Sequence, residues 1–273
     1  MRRLLAGAAA AVVLLGLSPQ ATAQTSYPDS MAAAGDSITR AFNAGAIPWI
    51  DAPWNSWSTG SSQYVFSHYR RILAANPRIF LRNFNDARDG AKVADLSRQV
   101  ALVNLQRVEY VTILIGANDA CASSEAAMTP VGTFRAQFRA AMDSLTAGSP
   151  EALVYVVSIP NVYRLWFILH DNPNARLLWR LTGFCESLLA RPASTAPADD
   201  ARRKRVRQRV VDYNTALAEV CAAHARCRFD GNAVFDYQFQ PKDVSTRDYF
   251  HPSREGQRVL AEETWKAGYR FVP

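Results

Sequence analysis

The segment Tyr110-Val111-Thr112-Ile113-Leu114-Ile115 is the strongest constraint on the fold. Side chains along a strand point alternately to opposite faces, so a run apolar at nearly every position needs cover on both. Such a strand belongs inside a parallel sheet with helices above and below. The rest of the sequence agrees. Strand-like runs at residues 31–34, 78–83 and 153–158, a shorter one at 227–229 and an extended stretch at 233–237 alternate with helical patterns.

Val65, Phe66, Tyr69, Ile72 and Leu73 recur at helical spacing, as do Phe134, Phe138, Met142 and Leu145. Thr129 and Pro130 read as the N-cap and first residue of the second of these helices. A long helix is expected over about 201–223, with Val206, Val210, Tyr213, Leu217 and Val220 as its buried stripe. Ser253 is placed to cap a final helix reaching about Trp265, and Pro252 keeps His251 out of the helical region. Residues 193–200, with Ser194, Thr195 and Pro197, read as a loop. No repeat or low-complexity linker interrupts the 273 residues. Residues 24–273 therefore read as one domain with an elaborated connection over about 163–192.

Residues 1–23 read as a secretory signal peptide rather than part of the fold. Arg2 and Arg3 precede an apolar stretch over 4–17, and Ala21-Thr22-Ala23 supplies a small-residue cleavage site. The stretch is short for a transmembrane span, and the longer context of a twin-arginine signal is missing. The expected location is secreted or periplasmic. Losing this segment lowers the formal charge from +7 to +5, since it contains no acid. A mild positive charge suits contact with anionic lipids or cell-wall polymers without requiring either. No nucleic-acid-binding signature is present. Four cysteines in an exported chain favour two disulfides, for which three pairings exist. Cys221 and Cys227 are close enough to clip a helix end to the next strand, which leaves Cys121 with Cys185. A zinc site, the alternative, lacks the paired two-residue cysteine spacings.

Three short motifs carry chemistry. Gly35-Asp36-Ser37-Ile38 follows the first strand, and open parallel sheets bind ligands beyond the carboxyl ends of their strands. Gly35 permits a tight exit, and a helical turn starting at Ser37 would aim its free amides at negative charge. Alone, Asp36 and Ser37 would serve equally as a cap. In Asp248-Tyr249-Phe250-His251, the three-residue spacing lets the carboxylate hold one imidazole nitrogen while the other faces a serine. His68, His170 and His224 have no acid at such a spacing and read as structural. Asn118 in Gly116-Ala117-Asn118-Asp119 follows the most apolar strand, and Gly90 in Asp89-Gly90-Ala91 follows the second strand. With the Ser37 amide they would make three donors for a developing oxyanion. Taken singly, Asn118 reads as a cap and Gly90 as a turn. Taken together, the motifs supply the parts for hydrolysing an ester through an acyl-serine.

With the block from Asn85 through Gly90 added, these motifs resemble the SGNH branch of the GDSL esterases and lipases. The resemblance runs from Met31 to about Trp265. It implies an α/β fold, a flavodoxin-like three-layer α/β/α sandwich with a parallel sheet. It also implies Ser37 as nucleophile and oxyanion donor, Gly90 and Asn118 as further donors, His251 as base and Asp248 as its orienter. No metal or organic cofactor is implied. Ile159-Pro160-Asn161-Val162-Tyr163-Arg164-Leu165-Trp166 and Asp243-Val244-Ser245-Thr246-Arg247 are similar to secreted phospholipase-B-like bacterial members. The family's substrates run from phospholipids to acetylated sugars, so the resemblance leaves the substrate open.

The segment from Leu165 to Leu189 is more apolar than a simple crossover needs. Trp166, Phe167 and Leu169 are expected to wall an acyl channel or form a lid, with a core-packed hairpin as the alternative. Arg202, Arg203, Lys204, Arg205, Arg207 and Arg209 read as a solvated face or a contact for anionic headgroups. The expected function is a secreted serine esterase acting on lipid acyl esters, in the manner of a phospholipase or lysophospholipase. A polysaccharide or small-molecule acetylesterase is the alternative with the same mechanism, and a catalytically silent binding protein the alternative of another class. A metal phosphoesterase built on Asp36, Asp119 and Asp248 is a distant third. The expected partners are an ester substrate and a transient lipid surface, with no nucleic acid and no transmembrane span in the mature chain.

Overall fold

The structure, a computed structural model, describes residues 25–272. The signal-peptide segment lies outside the described residues. Five strands form one parallel sheet in the order β3-β2-β4-β5-β6: β2 (Met31–Gly35), β3 (Asn83–Asn85), β4 (Tyr110–Leu114), β5 (Leu153–Val156) and β6 (Cys227–Phe229). Two short strands, β1 (Thr25–Ser26) and β7 (Phe271–Val272), pair in parallel beside it. The helices are α1 (Ser37–Arg40), α2 (His68–Ala75), α3 (Leu96–Gln106), α4 (Ala117–Ala120), α5 (Val131–Gly148), α6 (Val162–Leu169), α7 (Pro173–Thr182), α8 (Glu186–Leu189), α9 (Pro197–Ala222), α10 (Ala233–Asp236) and α11 (Arg254–Ala267).

As its composition requires, β4 is the middle strand and all five of its residues are buried. Val111 and Ile113 join a core made with α3, α5 and α9. Tyr110 and Leu114 face the opposite way, into a core with α2 and α11. The result is the three-layer α/β/α sandwich expected. A third apolar cluster holds the α6–α8 segment together over α9.

Several local expectations are corrected. Residues 78–83 are not a strand: Pro77–Ile79 is a 3-10 turn, and pairing starts only at Asn83. Pro77 fits the first position of that turn, and Asn76 accepts from the Arg78 amide. Ala233–Asp236 is helical rather than extended. The fifth helix starts at Val131, with Pro130 in the cap position, while Thr129 instead donates to the Asp119 carboxylate at 2.7 Å. The expected loop at 193–200 is shortened because Pro197 starts α9. Ser67 caps α2, so Val65 and Phe66 precede the helix. Ser253 caps α11 by accepting from the Gly256 amide, as expected.

Both expected disulfides are present. Cys221–Cys227 clips the end of α9 to β6. Cys121–Cys185 ties the residue after α4 to the entry of α8. The basic run on α9 is largely engaged within the protein. Arg202 donates to the Ser187 and Ala190 carbonyls, Arg205 pairs with Glu125, and Arg209 donates to the Thr129 carbonyl. Arg203 is fully buried, with its guanidinium 4.0 Å over the Trp166 ring. Arg202 and Arg203 therefore brace the α6–α8 segment and Arg205 and Arg209 the stretch before α5, while Lys204 and Arg205 stay exposed as a solvated face.

Candidate active site

β2 and β4 end side by side, and their exits bring the sequence motifs together. Gly35 leaves β2 so close to its neighbour that a Cβ would stand 2.3 Å from the Leu114 carbonyl oxygen. Gln99 fixes this exit from below, accepting from the Gly35 amide and donating to its carbonyl. Asp36 caps α1 by accepting from the Ile38 amide at 2.9 Å, which leaves Ser37 at the first helical position with its own amide free of any intrahelical partner.

His251 arrives from the opposite end of the chain. Its Nε2 lies 2.8 Å from Ser37 Oγ, and its Nδ1 lies 2.7 Å from Asp248 Oδ2. The carboxylate fixes the tautomer: Nδ1–H donates to Asp248, so Nε2 is the acceptor for the serine hydroxyl. Asp248 is completely buried, and four donors reach its two oxygens. Oδ1 accepts from the Phe250 and His251 amides, and Oδ2 accepts from His251 and from Asn43 Nδ2 at 2.6 Å. Burial pushes this carboxyl up. The bond and charge of His251, with the Asn43 and Phe250 bonds, outweigh that and hold it below the usual carboxylate range. Phe42 and Phe250 flank the imidazole, with ring centroids 4.9 and 5.0 Å away. A serine hydroxyl held in this way can lose its proton to the imidazole as it attacks a carbonyl.

Gly90 and Asn118 line the same pocket as Ser37 and His251. Gly90 has φ +70, a left-handed conformation that suits glycine, and its backbone borders the pocket. Asn118 Nδ2 donates to the Ala91 carbonyl at 3.0 Å. That bond locks the amide against the Gly90 loop and leaves its second hydrogen available. Asp119 is structural: its carboxylate accepts from the Val93 amide and the Thr129 hydroxyl.

A second arm of the cleft opens from Ser37 on the apolar side. Val162, Leu165 and Ile168 of α6 line it, with Phe239, Val244 and Phe250. The expected wall residues are corrected here. Trp166 and Leu169 are turned into the third apolar cluster and are 6% and 5% exposed, while Phe167 points to solvent at 54%. The helix presents its Leu165 and Ile168 face to the cleft instead. Trp179 Nε1 donates to the Tyr249 carbonyl at 2.9 Å, so α7 also steadies the loop bearing Asp248 and His251.

Two features of the site have no signal in the sequence: the part played by Asn43 and the shifted carboxyl of Asp36, whose cap role was expected. Asn43, with φ +57, joins the Asp248 carboxylate to the 43–50 loop, and an asparagine in an irregular stretch gives no sign of this. Asp36 is the other. Burial pushes its carboxyl up to about 7, with the Ile38 amide bond and the nearby His251 acting in the opposite direction. His68, by contrast, is the structural residue expected. It is fully buried between the Tyr110 and Thr264 hydroxyls, and burial lowers it to about 3.

Known proteins resemble this chain in sequence family and in fold. A family model for GDSL-like lipases and acylhydrolases matches residues 31–264. No curated protein sequence matches the chain. Among solved structures, the chain is similar to a protein from Parabacteroides merdae described as a GDSL-like lipase. The TM-score is 0.55 at 15% identity, covering 90% of this chain and 97% of that one. It is also similar to an acetyl xylan esterase, AlAXEase, at TM-score 0.52 and 15% identity, covering 87% and 98%. Among the described residues, no helix is long and apolar enough to cross a membrane. The chain belongs to the GDSL-like lipase/acylhydrolase family and is a carboxylic ester hydrolase.

Proposed function

We propose that this protein is an exported serine esterase that cleaves lipid acyl esters through an acyl intermediate on Ser37. Ser37 Oγ attacks the carbonyl carbon, and its proton passes to His251 Nε2. Asp248 stabilises the imidazolium that forms. The Ser37 and Gly90 amides and the Asn118 side chain hold the oxyanion, each such donor typically being worth roughly 100- to 1,000-fold in rate. Collapse expels the alcohol, which takes its proton from His251. Water then attacks the acyl-serine by the same route and frees the acid. The observation that carries this reading is the unbroken chain from Ser37 through His251 to a buried Asp248 held by four donors. The same chain argues against a silent binding protein, which has no use for an acceptor nitrogen aimed at a serine.

The apolar arm, with a volume of about 90 Å³ and Leu165, Ile168 and Phe239 in its lining, supports an acyl group longer than acetyl: the first few methylenes pack in the arm and the rest of a lipid chain extends beyond it. The two disulfides support an oxidising compartment, and the span of the family match supports one domain. Rates on p-nitrophenyl esters from acetate to palmitate, beside a phospholipid and an acetylated xylan, test the substrate class. Activity should rise beyond acetate and include the phospholipid. Each methylene packed in the arm is worth about 0.8 kcal/mol. Ile168→Trp, which fills the arm, should therefore penalise hexanoate about tenfold more than acetate. A profile peaking at acetate, with the glycan as the only natural ester cleaved, would transfer the protein to the acetylesterases.

Asn43 tests the hydrogen-bond chain from behind. Asn43→Gly keeps the left-handed backbone but removes one donor from the Asp248 carboxylate. Hydrogen bonds to charged groups contribute about 1.5–3 kcal/mol, so kcat should fall at least about tenfold with little change in KM. Equal kcat in the two proteins would show that the contact is incidental.

A further inference from the structure

We infer that the loop from Asn43 to Trp54 anchors the protein to a lipid–water interface carrying anionic headgroups. The inference rests on the lipid-ester reading above and adds the surface through which such a substrate is met. Four large apolar side chains stand out on this one loop: Ile47 at 61% exposure, Trp49 at 47%, Ile50 at 42% and Trp54 at 49%. All four lie within eight residues of sequence, a local concentration of exposed apolar surface of the kind that marks contact sites.

The loop is built rather than slack. Trp49 is held at φ +63, its amide donating to Asn43 Oδ1 at 2.5 Å, and the Asn43 amide donates to the Ile50 carbonyl at 3.1 Å. Arg247 donates to the Gly45 carbonyl at 3.1 Å and to the Ala46 carbonyl. Since Asn43 also holds Asp248, the loop is tied directly to the site.

Beside the loop runs a groove of about 980 Å³, lined by Pro48, Trp54, Lys242, Arg247 and Arg254 among others. Arg254 stacks 4.2 Å over Tyr64 and has no carboxylate partner in the described residues, while Lys242 lies 3.5 Å from Glu255. Indoles favour the headgroup level, branched aliphatics the hydrocarbon beneath it, and cations the anionic headgroups. A glycan would stack on the indoles but has no use for Ile47 and Ile50. The α6 helix adds a further exposed ring, Phe167, next to the arm it lines.

The test is co-sedimentation of the mature protein with vesicles of ether-linked phosphatidylcholine, with and without phosphatidylglycerol headgroups, and separately with insoluble xylan. Ether lipids cannot be hydrolysed, so binding is read apart from catalysis. The protein should sediment with both vesicles, more tightly with the anionic ones. Ile47→Ser with Ile50→Ser should weaken binding about tenfold or more, since burying one such side chain is worth about 1.5 kcal/mol or more. The same double variant should hydrolyse soluble p-nitrophenyl acetate at the wild-type rate, which shows that it folds. Arg254→Glu should weaken binding to the anionic vesicles only. Protein left in the supernatant with both vesicles, undiminished binding by the double variant, or sedimentation with xylan instead would overturn the inference. Vesicle binding by a protein that cleaves no lipid ester would leave the anchor standing and strike only the lipid-ester reading.

Discussion

Replacing Ser37 with alanine should lower kcat by roughly four to six orders of magnitude, the loss typical of removing a serine nucleophile. The fold should be untouched. Ser37 contributes one side-chain hydrogen bond, to His251, and His251 remains oriented by Asp248. The cap of α1 is supplied by Asp36, so the helical turn survives the change. The melting temperature of the variant should match that of the wild type while its steady-state rate on any ester falls to background. Near-wild-type turnover in a cleanly purified variant would mean that another group attacks the carbonyl.

The second large effect is on stability, and it depends on pH. Asp36 is completely buried and its carboxyl titrates at about 7 in the folded protein, against about 3.9 unfolded. The native state therefore holds a proton that the unfolded state lacks between those values, and stability falls as pH rises through that window. The Asp36→Asn substitution keeps a side-chain oxygen as acceptor for the Ile38 amide and leaves no charge to desolvate. Allowing for one unpaired amide, Asp36→Asn should be more stable than the wild type by about 3 kcal/mol at pH 8, with the advantage gone by about pH 4. His68 acts with the opposite sign. Its folded value of about 3 lies below the unfolded 6.5, so its contribution is lost as pH falls below that unfolded value. In the wild type the two slopes offset each other between about pH 4 and 6.5. In Asp36→Asn the Asp36 slope is gone while every other titrating group is kept, so the stability difference between variant and wild type should grow as pH rises from about 4 to 7. Denaturant titrations from pH 4 to 8 measure both curves. A difference between the proteins that ignores pH would refute the assignment of the charge to Asp36.

The sequence disclosed most where a residue type has few uses. A strand apolar on both faces fits only the middle of a covered sheet, and residues 110–114 lie there. Ser37, Asp248 and His251 could be paired because a nucleophile, a base and an orienter must meet at strand ends, whatever separates them along the chain. The direction of α6 was not legible. In a run such as Leu165-Trp166-Phe167-Ile168-Leu169 no polar residue marks the outer face, and each step turns the helix by about 100°. Leu165 and Ile168 thus reach the cleft while Trp166 and Leu169 meet the core. The basic run on α9 misled for a related reason. Charge suggests solvent, as holds for Lys204 and Arg205, yet Arg203 lies 4.0 Å over the Trp166 ring and Arg202 closes the open carbonyls around α8. Asn43 was invisible because its partner is 205 residues away and its role is set by the loop's shape.

Whether Ser37 becomes covalently acylated is read by labelling with a fluorophosphonate probe. Such a probe phosphonylates a serine only when a neighbouring base activates it and donors hold the resulting oxyanion. The active protein is incubated with the probe, digested, and mapped by mass spectrometry while residual esterase activity is followed. One adduct is predicted, on the peptide containing Ser37, with activity lost in proportion to labelling and no adduct in Ser37→Ala. An adduct on a different serine that tracks the loss of activity, or full activity in protein fully labelled at Ser37, would contradict the account.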